Sequence, residues 1–116
     1  VQCDDRGQTV SATFAVGSLL LRFVRERGED FLDVASAHEP EAYYQADDVA
    51  LAFGWKTLDA VLEQRAPEPL PDDLARLHDH GSELTDAFDA QHRAATMQRL
   101  EQARLRRTRA FEARLR

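Results

Sequence analysis

The segment Leu19–Ser36, LLLRFVRERGEDFLDVAS, restricts the fold more than any other part of this chain. In Leu19–Arg25, Leu19, Leu21 and Phe23 share one face of an extended strand while Leu20, Arg22 and Val24 share the other, and the first face is the core side. The charged run Arg25–Asp30 then interrupts the apolar pattern, and its single Gly28 can take the positive φ of a tight turn. Phe31–Ser36 returns as the partner strand, so the segment reads as an antiparallel hairpin. Upstream, Val10, Ala12 and Phe14 alternate over Thr9–Phe14, which is compatible with a further strand ending at Gly17–Ser18.

Beyond the hairpin the period changes. After the loop His38–Glu41, Tyr43–Gly54 predicts a short helix with Asp47 or a neighbour as its cap, Gly54 as its stop, and Val49, Ala50 and Phe53 on its buried face. Thr57 is placed to cap a second short helix with Asp59 in its first turn and Leu58, Val61 and Leu62 as its apolar stripe. Trp55 stands at the joint and is expected to pack inward. The stretch Ala66–Pro71 holds three prolines and cannot continue a helix. It divides the chain, and Pro71, Asp72 and Asp73 then suit the first turn of a new helix. Leu74, Leu77, Gly81, Leu84 and Phe88 recur at spacings of three and four, with Gly81 expected where another element comes close. From Asp72 onward the sequence allows either one long helix or a helical hairpin bent near Gln91–Thr96.

The expectation is a single α+β domain over 1–116: strands in 1–36 forming a small antiparallel sheet with a central hairpin, two short helices in 43–65, a Pro-rich linker at 66–71 and a helical segment in 72–116. With 43% hydrophobic residues, 116 residues can bury one modest core. No run approaches the roughly 18 apolar residues of a membrane span, so no membrane partner is expected. One cysteine, Cys3, cannot form an internal disulfide and is read as a passive strand residue; this fits a reducing, cytoplasmic setting. Fourteen Arg against one Lys, with abundant Ala, suggests the coding bias of a GC-rich bacterium.

Charge is divided unevenly. Residues 1–92 carry nineteen Asp or Glu against seven Arg or Lys, a net −12, whereas Arg93–Arg116 carries eight Arg against two Glu, a net +6. The acidic body steers toward cationic partners. The tail admits three readings: phosphate contacts with nucleic acid, pairing with the acidic body or with a second copy of the chain, or a solvated helix face. Arg104, Arg106, Arg107 and Arg109 are its candidate residues for phosphate binding or self-association through a homo-oligomer, and Phe111 is the one aromatic there that could stack on a base.

Catalytic signals are weak throughout. His78 and His80 are two residues apart and diverge on a helix, so neither gains a ligand at the three- or four-residue spacing a metal site needs; His80 with Glu83 and Asp89 with His92 are simple i, i+3 pairs. The acid pairs Asp4–Asp5, Asp47–Asp48 and Asp72–Asp73 are sequence neighbours, and neighbours do not face each other across a substrate. Neither a GxSxG elbow, a phosphate loop nor a CxxC pair occurs. No enzyme activity, cofactor or metal is therefore expected. Two acidic regions are candidates for binding a basic protein partner: Tyr43 and Tyr44 with Asp47 and Asp48, and the stretch Asp72–Asp89 with Asp79, Glu83 and Asp86.

The hairpin followed by DDVALAFGW and a terminal helical segment, over Leu19–Trp55, resembles small acidic bacterial proteins often of unknown function. Some proteins of this size and charge are immunity proteins that neutralise a toxin. The resemblance implies an interaction protein that occludes a basic partner, and it carries no site residue.

Overall fold

The computed structural model describes residues 2–6, 9–64 and 70–115; the Cys3 side chain and most of the proline run, residues 65–69, lie outside the described residues. The architecture is α+β. Five strands, β1 (Gln2–Arg6), β2 (Thr9–Val16), β3 (Leu19–Glu26), β4 (Glu29–Ser36) and β5 (Tyr44–Gln45), form one antiparallel sheet whose spatial order is their chain order. The helices are α1 (Ala46–Ala52), α2 (Leu58–Glu63), α3 (Leu70–Asp79), α4 (Gly81–Ala87) and α5 (Arg93–Arg114).

The expected hairpin is β3–β4, closed by the two residues Arg27 and Gly28 at φ 53° and 80°. Two successive positive φ values match a type I′ turn, whose twist suits flanking strands. Gly supplies its half freely, but Arg27 pays for a left-handed backbone with Cβ crowding. Opposed residues share a face, so the register Leu21↔Val34 and Phe23↔Leu32 puts the predicted core side of β3 against that of β4. Leu19, Leu32 and Val34 are buried there, with Leu21 and Phe23 packed alongside.

The predicted helix start at Tyr43 is displaced. Tyr44 pairs with Val34 as the short strand β5, and α1 begins at Ala46 with Gln45 as a cap that makes no side-chain bond. Sheet pairing wins over helix propensity because it buries the Tyr44 ring beside Val34 and Val49. Asp47 and Asp48 consequently occupy the first turn and do not cap it. The end of α1 behaves as read: Gly54 has φ 77°, its N–H donates to the Leu51 carbonyl, and the Trp55 N–H donates to the Ala50 carbonyl at 2.8 Å. That is a Schellman termination. Thr57 caps α2 through its hydroxyl, which accepts from the Ala60 N–H at 3.1 Å. Trp55 is half-buried, stacked on Phe53 at 5.3 Å and on His80 at 4.1 Å between ring centroids.

The C-terminal half is neither one rod nor a two-helix hairpin. Helix α3 breaks at His80 into α4, and α4 ends at Phe88 ahead of α5. A Cβ on Gly81 would meet nothing within 4 Å, so this glycine marks a break and not the expected close approach. The second bend falls at Phe88–His92, slightly before the predicted position, where the Asp89 carboxylate accepts the N–H groups of Gln91 (2.9 Å) and His92 (2.8 Å). The three-and-four seam delivers Leu77, Leu84 and Phe88 to the core but leaves Leu74 exposed. Two serines fasten α4 to the sheet: Ser18 Oγ donates to the Thr85 carbonyl at 2.6 Å and Ser36 Oγ to the Phe88 carbonyl at 2.8 Å. Helices α1 and α3 pack over β4.

Phe88 is fully buried among these elements, so Phe88→Ala should cost about 3–5 kcal/mol in urea unfolding. Arg27→Asn, which tolerates the left-handed conformation, should instead raise stability by about 1 kcal/mol in the same assay.

Candidate interaction surface

The two acidic regions picked out in the sequence have different fates. Around α1 the carboxylates turn inward. Asp47 pairs with Lys56 Nζ at 3.0 Å and accepts from Gln64 Nε2 at 3.1 Å. Asp48 is 1% exposed and faces the Arg107 guanidinium, with Nε 2.8 Å from Oδ1 and Nη2 donating to Oδ2 at 3.2 Å. The shorter approach is too poorly aligned for a hydrogen bond and holds by charge alone. Tyr44 is buried, its hydroxyl donating to Glu101 at 3.2 Å; burial and then the Glu101 charge raise its pKa. Tyr43 is half-buried beneath the Arg22 guanidinium, 3.9 Å from the ring centre. Tyr44 and Asp48 are therefore buried against α5, while Tyr43 and Asp47 are half-buried.

Helix α5 supplies the other half of these contacts. Its buried stripe, Thr96, Leu100 and Ala103, faces the body at spacings of four and three. Arginines flanking the stripe find acceptors: Arg93 pairs with Glu39, Arg99 donates to the Ala52 carbonyl at 3.0 Å and lies over Phe53, and Arg104 pairs with Glu101 beside the Tyr44 ring. Arg107 also donates to Gln45 at 3.0 Å. The Arg104 pKa is raised by its bond to Glu101, whose own pKa is lowered by Arg104. Of the four candidate arginines, Arg104 and Arg107 are engaged with the body, while Arg106 and Arg109 are exposed and pair with no described residue.

The second acidic region behaves otherwise. Asp79, Glu83 and Asp86 follow at spacings of four and three along one edge of α3 and α4, and all three are exposed. Glu83 lies 3.5 Å from His80 Nδ1, and Asp89 lies 2.9 Å from His92 Nδ1, the two i, i+3 pairs that the sequence suggests. Beside this edge a groove of about 800 Å³ runs between the helices and the sheet, lined by Val16, Leu19, Leu21, Leu74 and Leu77 on its apolar side. Sequence reasoning missed that Val16 and Leu74 are exposed: both carry the apolar periodicity of core positions, and no local signal separates a covered position from a bare one. Among the described residues no group of three or more His, Cys, Asp or Glu could hold a metal ion, and no helix is long and apolar enough to cross a membrane.

No family model, curated protein or solved structure matches the chain.

Burial raises the Asp48 pKa above its ordinary 3.8 against the opposing pull of Arg107 and Arg104. The native state thus holds this proton more tightly than the unfolded chain does. Asp48 therefore lowers stability progressively as pH climbs from about 3.8 through its raised native value, then contributes no further change. Asp30, Asp89 and Glu101, whose pKa values are lowered, act in the opposite sense and are common to any variant at position 48. Urea unfolding of wild type and Asp48→Asn should diverge in favour of the variant as pH rises from 4 to 7; parallel curves would show that the native Asp48 pKa is not raised.

Proposed function

We propose that this chain is a non-catalytic binding protein that covers a cationic surface of a protein partner with the acidic edge of α3 and α4, as an immunity or inhibitor protein would. The observation that carries this reading is the contrast between the two charged regions. Asp79, Glu83 and Asp86 stand together at the surface, while five arginines of α5 are spent on Glu39, the Ala52 carbonyl, Glu101, Asp48 and Asp59. Carboxylates in a row attract Lys and Arg over a distance set by ionic strength, raising association rate more than final affinity. Apolar surface beside them supplies the water-excluding contact that charge alone lacks.

Nucleic acid is the second reading, and Arg106 and Arg109 are the residues in its favour. Two phosphate contacts would give a shallow salt dependence, a slope of about −2 on logarithmic axes.

An immobilised chain used to capture proteins from a lysate of its own source tests the choice. The triple substitution Asp79→Lys, Glu83→Lys and Asp86→Lys should reduce capture by at least about tenfold, and Arg106→Ala with Arg109→Ala should leave it intact. The reverse pattern, accompanied by a shift of duplex DNA in low-salt gels, would favour the nucleic-acid reading and reject the acidic one.

A further inference from the structure

Strand β5 pairs with only Asp33 and Val34 of β4, so among the described residues no strand flanks the outer side of the first half of β4, Glu29–Leu32. A cleft of about 670 Å³ opens there, between β4, α2 and the last turns of α5. Its apolar lining is Phe31 of β4, Val61 and Leu62 of α2, Phe111 of α5 and Leu115 just past the end of that helix. Val61 is buried, while Phe111 is 53% and Leu115 72% exposed, so the cleft has an apolar floor and apolar side chains standing at its mouth. A concave space of this size, mostly apolar with a few polar groups, suits a small molecule. None of its lining residues belongs to α3 or α4, so it is separate from the acidic edge proposed above.

The charged groups of the lining decide what sign a ligand carries. Arg107 is the one cation among the described lining residues, and its guanidinium is already committed: Nε and Nη2 face Asp48, and Nη1 donates to Gln45 at 3.0 Å. Asp47 is likewise tied to Lys56 and Gln64. Glu29 and Glu112 remain, both exposed and in no ion pair with a described residue. An anion here meets two free carboxylates and no free cation, and a neutral ligand leaves both carboxylates unused. We infer that the cleft binds a small organic cation with an apolar body, its charge at Glu29 and Glu112 and its body against Phe31, Val61, Leu62 and Phe111. The rings of Phe31 and Phe111 act in the same direction, because an aromatic face attracts a cation that has left water. Glu29 stands on β4 and Glu112 on α5, so a ligand held by both ties the end of α5 to the sheet.

Three dyes that brighten in apolar surroundings test this: cationic dimethylaminostyrylpyridinium, neutral phenylnaphthylamine and anionic anilinonaphthalene sulfonate. Titrated against the full chain at low salt, the cation should bind at least about tenfold more tightly than either of the others. Glu29→Gln with Glu112→Gln should weaken the cation at least about fivefold and leave the neutral dye unchanged. Phe111→Ala should weaken the cationic and the neutral dye alike, by about threefold or more. All three positions are exposed, and far-ultraviolet circular dichroism checks that the variants stay folded. Equal or tighter binding of the neutral or the anionic dye would overturn the charge assignment, and binding of none would overturn the site. Cation binding that survives these substitutions, or that is lost instead on Asp79→Lys, Glu83→Lys and Asp86→Lys, would place the dye elsewhere and reject the cleft. None of these failures touches the acidic edge, which stands or falls on the capture of a protein partner.

Discussion

The docking of α5 on α1 holds the two oppositely charged parts of the chain together. Leu100 and Ala103 provide its apolar contact, and the Asp48–Arg107 pair sits at its buried side. Burying a carboxylate is expensive unless a cation and hydrogen bonds accompany it, and Asp48 has the cation but only one well-formed bond to it. The raised pKa of Asp48 expresses the remaining cost. A half-exposed arginine can keep part of its hydration, which is why the pair is tolerable with Arg107 at 26% side-chain exposure. Because Arg107 of α5 takes up Asp48 and Lys56 takes up Asp47, the acidic edge of α3 and α4 is left as the exposed one of the two regions.

Much of the fold was legible because its signals are local. The alternation of Leu19, Leu21 and Phe23, the turn at Gly28, the stop at Gly54 and the cap at Thr57 each depend on residues within a few positions. The failures depended on distant ones. Tyr44 leaves the predicted helix because Val34, ten positions earlier, offers it a strand partner. Gly81 fits a packing seam equally well as a break until the neighbouring space is known to be empty.

The candidate surface was half legible for the same reason. A run of acidic residues reads identically whether its carboxylates face water or a buried arginine. Asp47 and Asp48 follow Glu39 and Glu41 much as Glu83 and Asp86 follow Asp79, yet one group meets Lys56 and Arg107 while the other meets solvent. The decisive partner, Arg107, lies 59 residues from Asp48. Tail arginines were recognised as possible partners for the body, but which three of its acids, Glu39, Asp48 and Asp59, they would find depended on the bend at Asp89.

The sequential order of the sheet also governs how the molecule assembles. Every strand pairs with its immediate neighbour in the chain, so each hairpin closes a short loop at little entropic cost. The contacts of Tyr44 with Glu101 and of Asp48 with Arg107 span 57 and 59 residues and reward the chain only after the intervening helices are placed. Helix α5 consequently gains its contacts with the body late, and its docking joins the two ends of the chain.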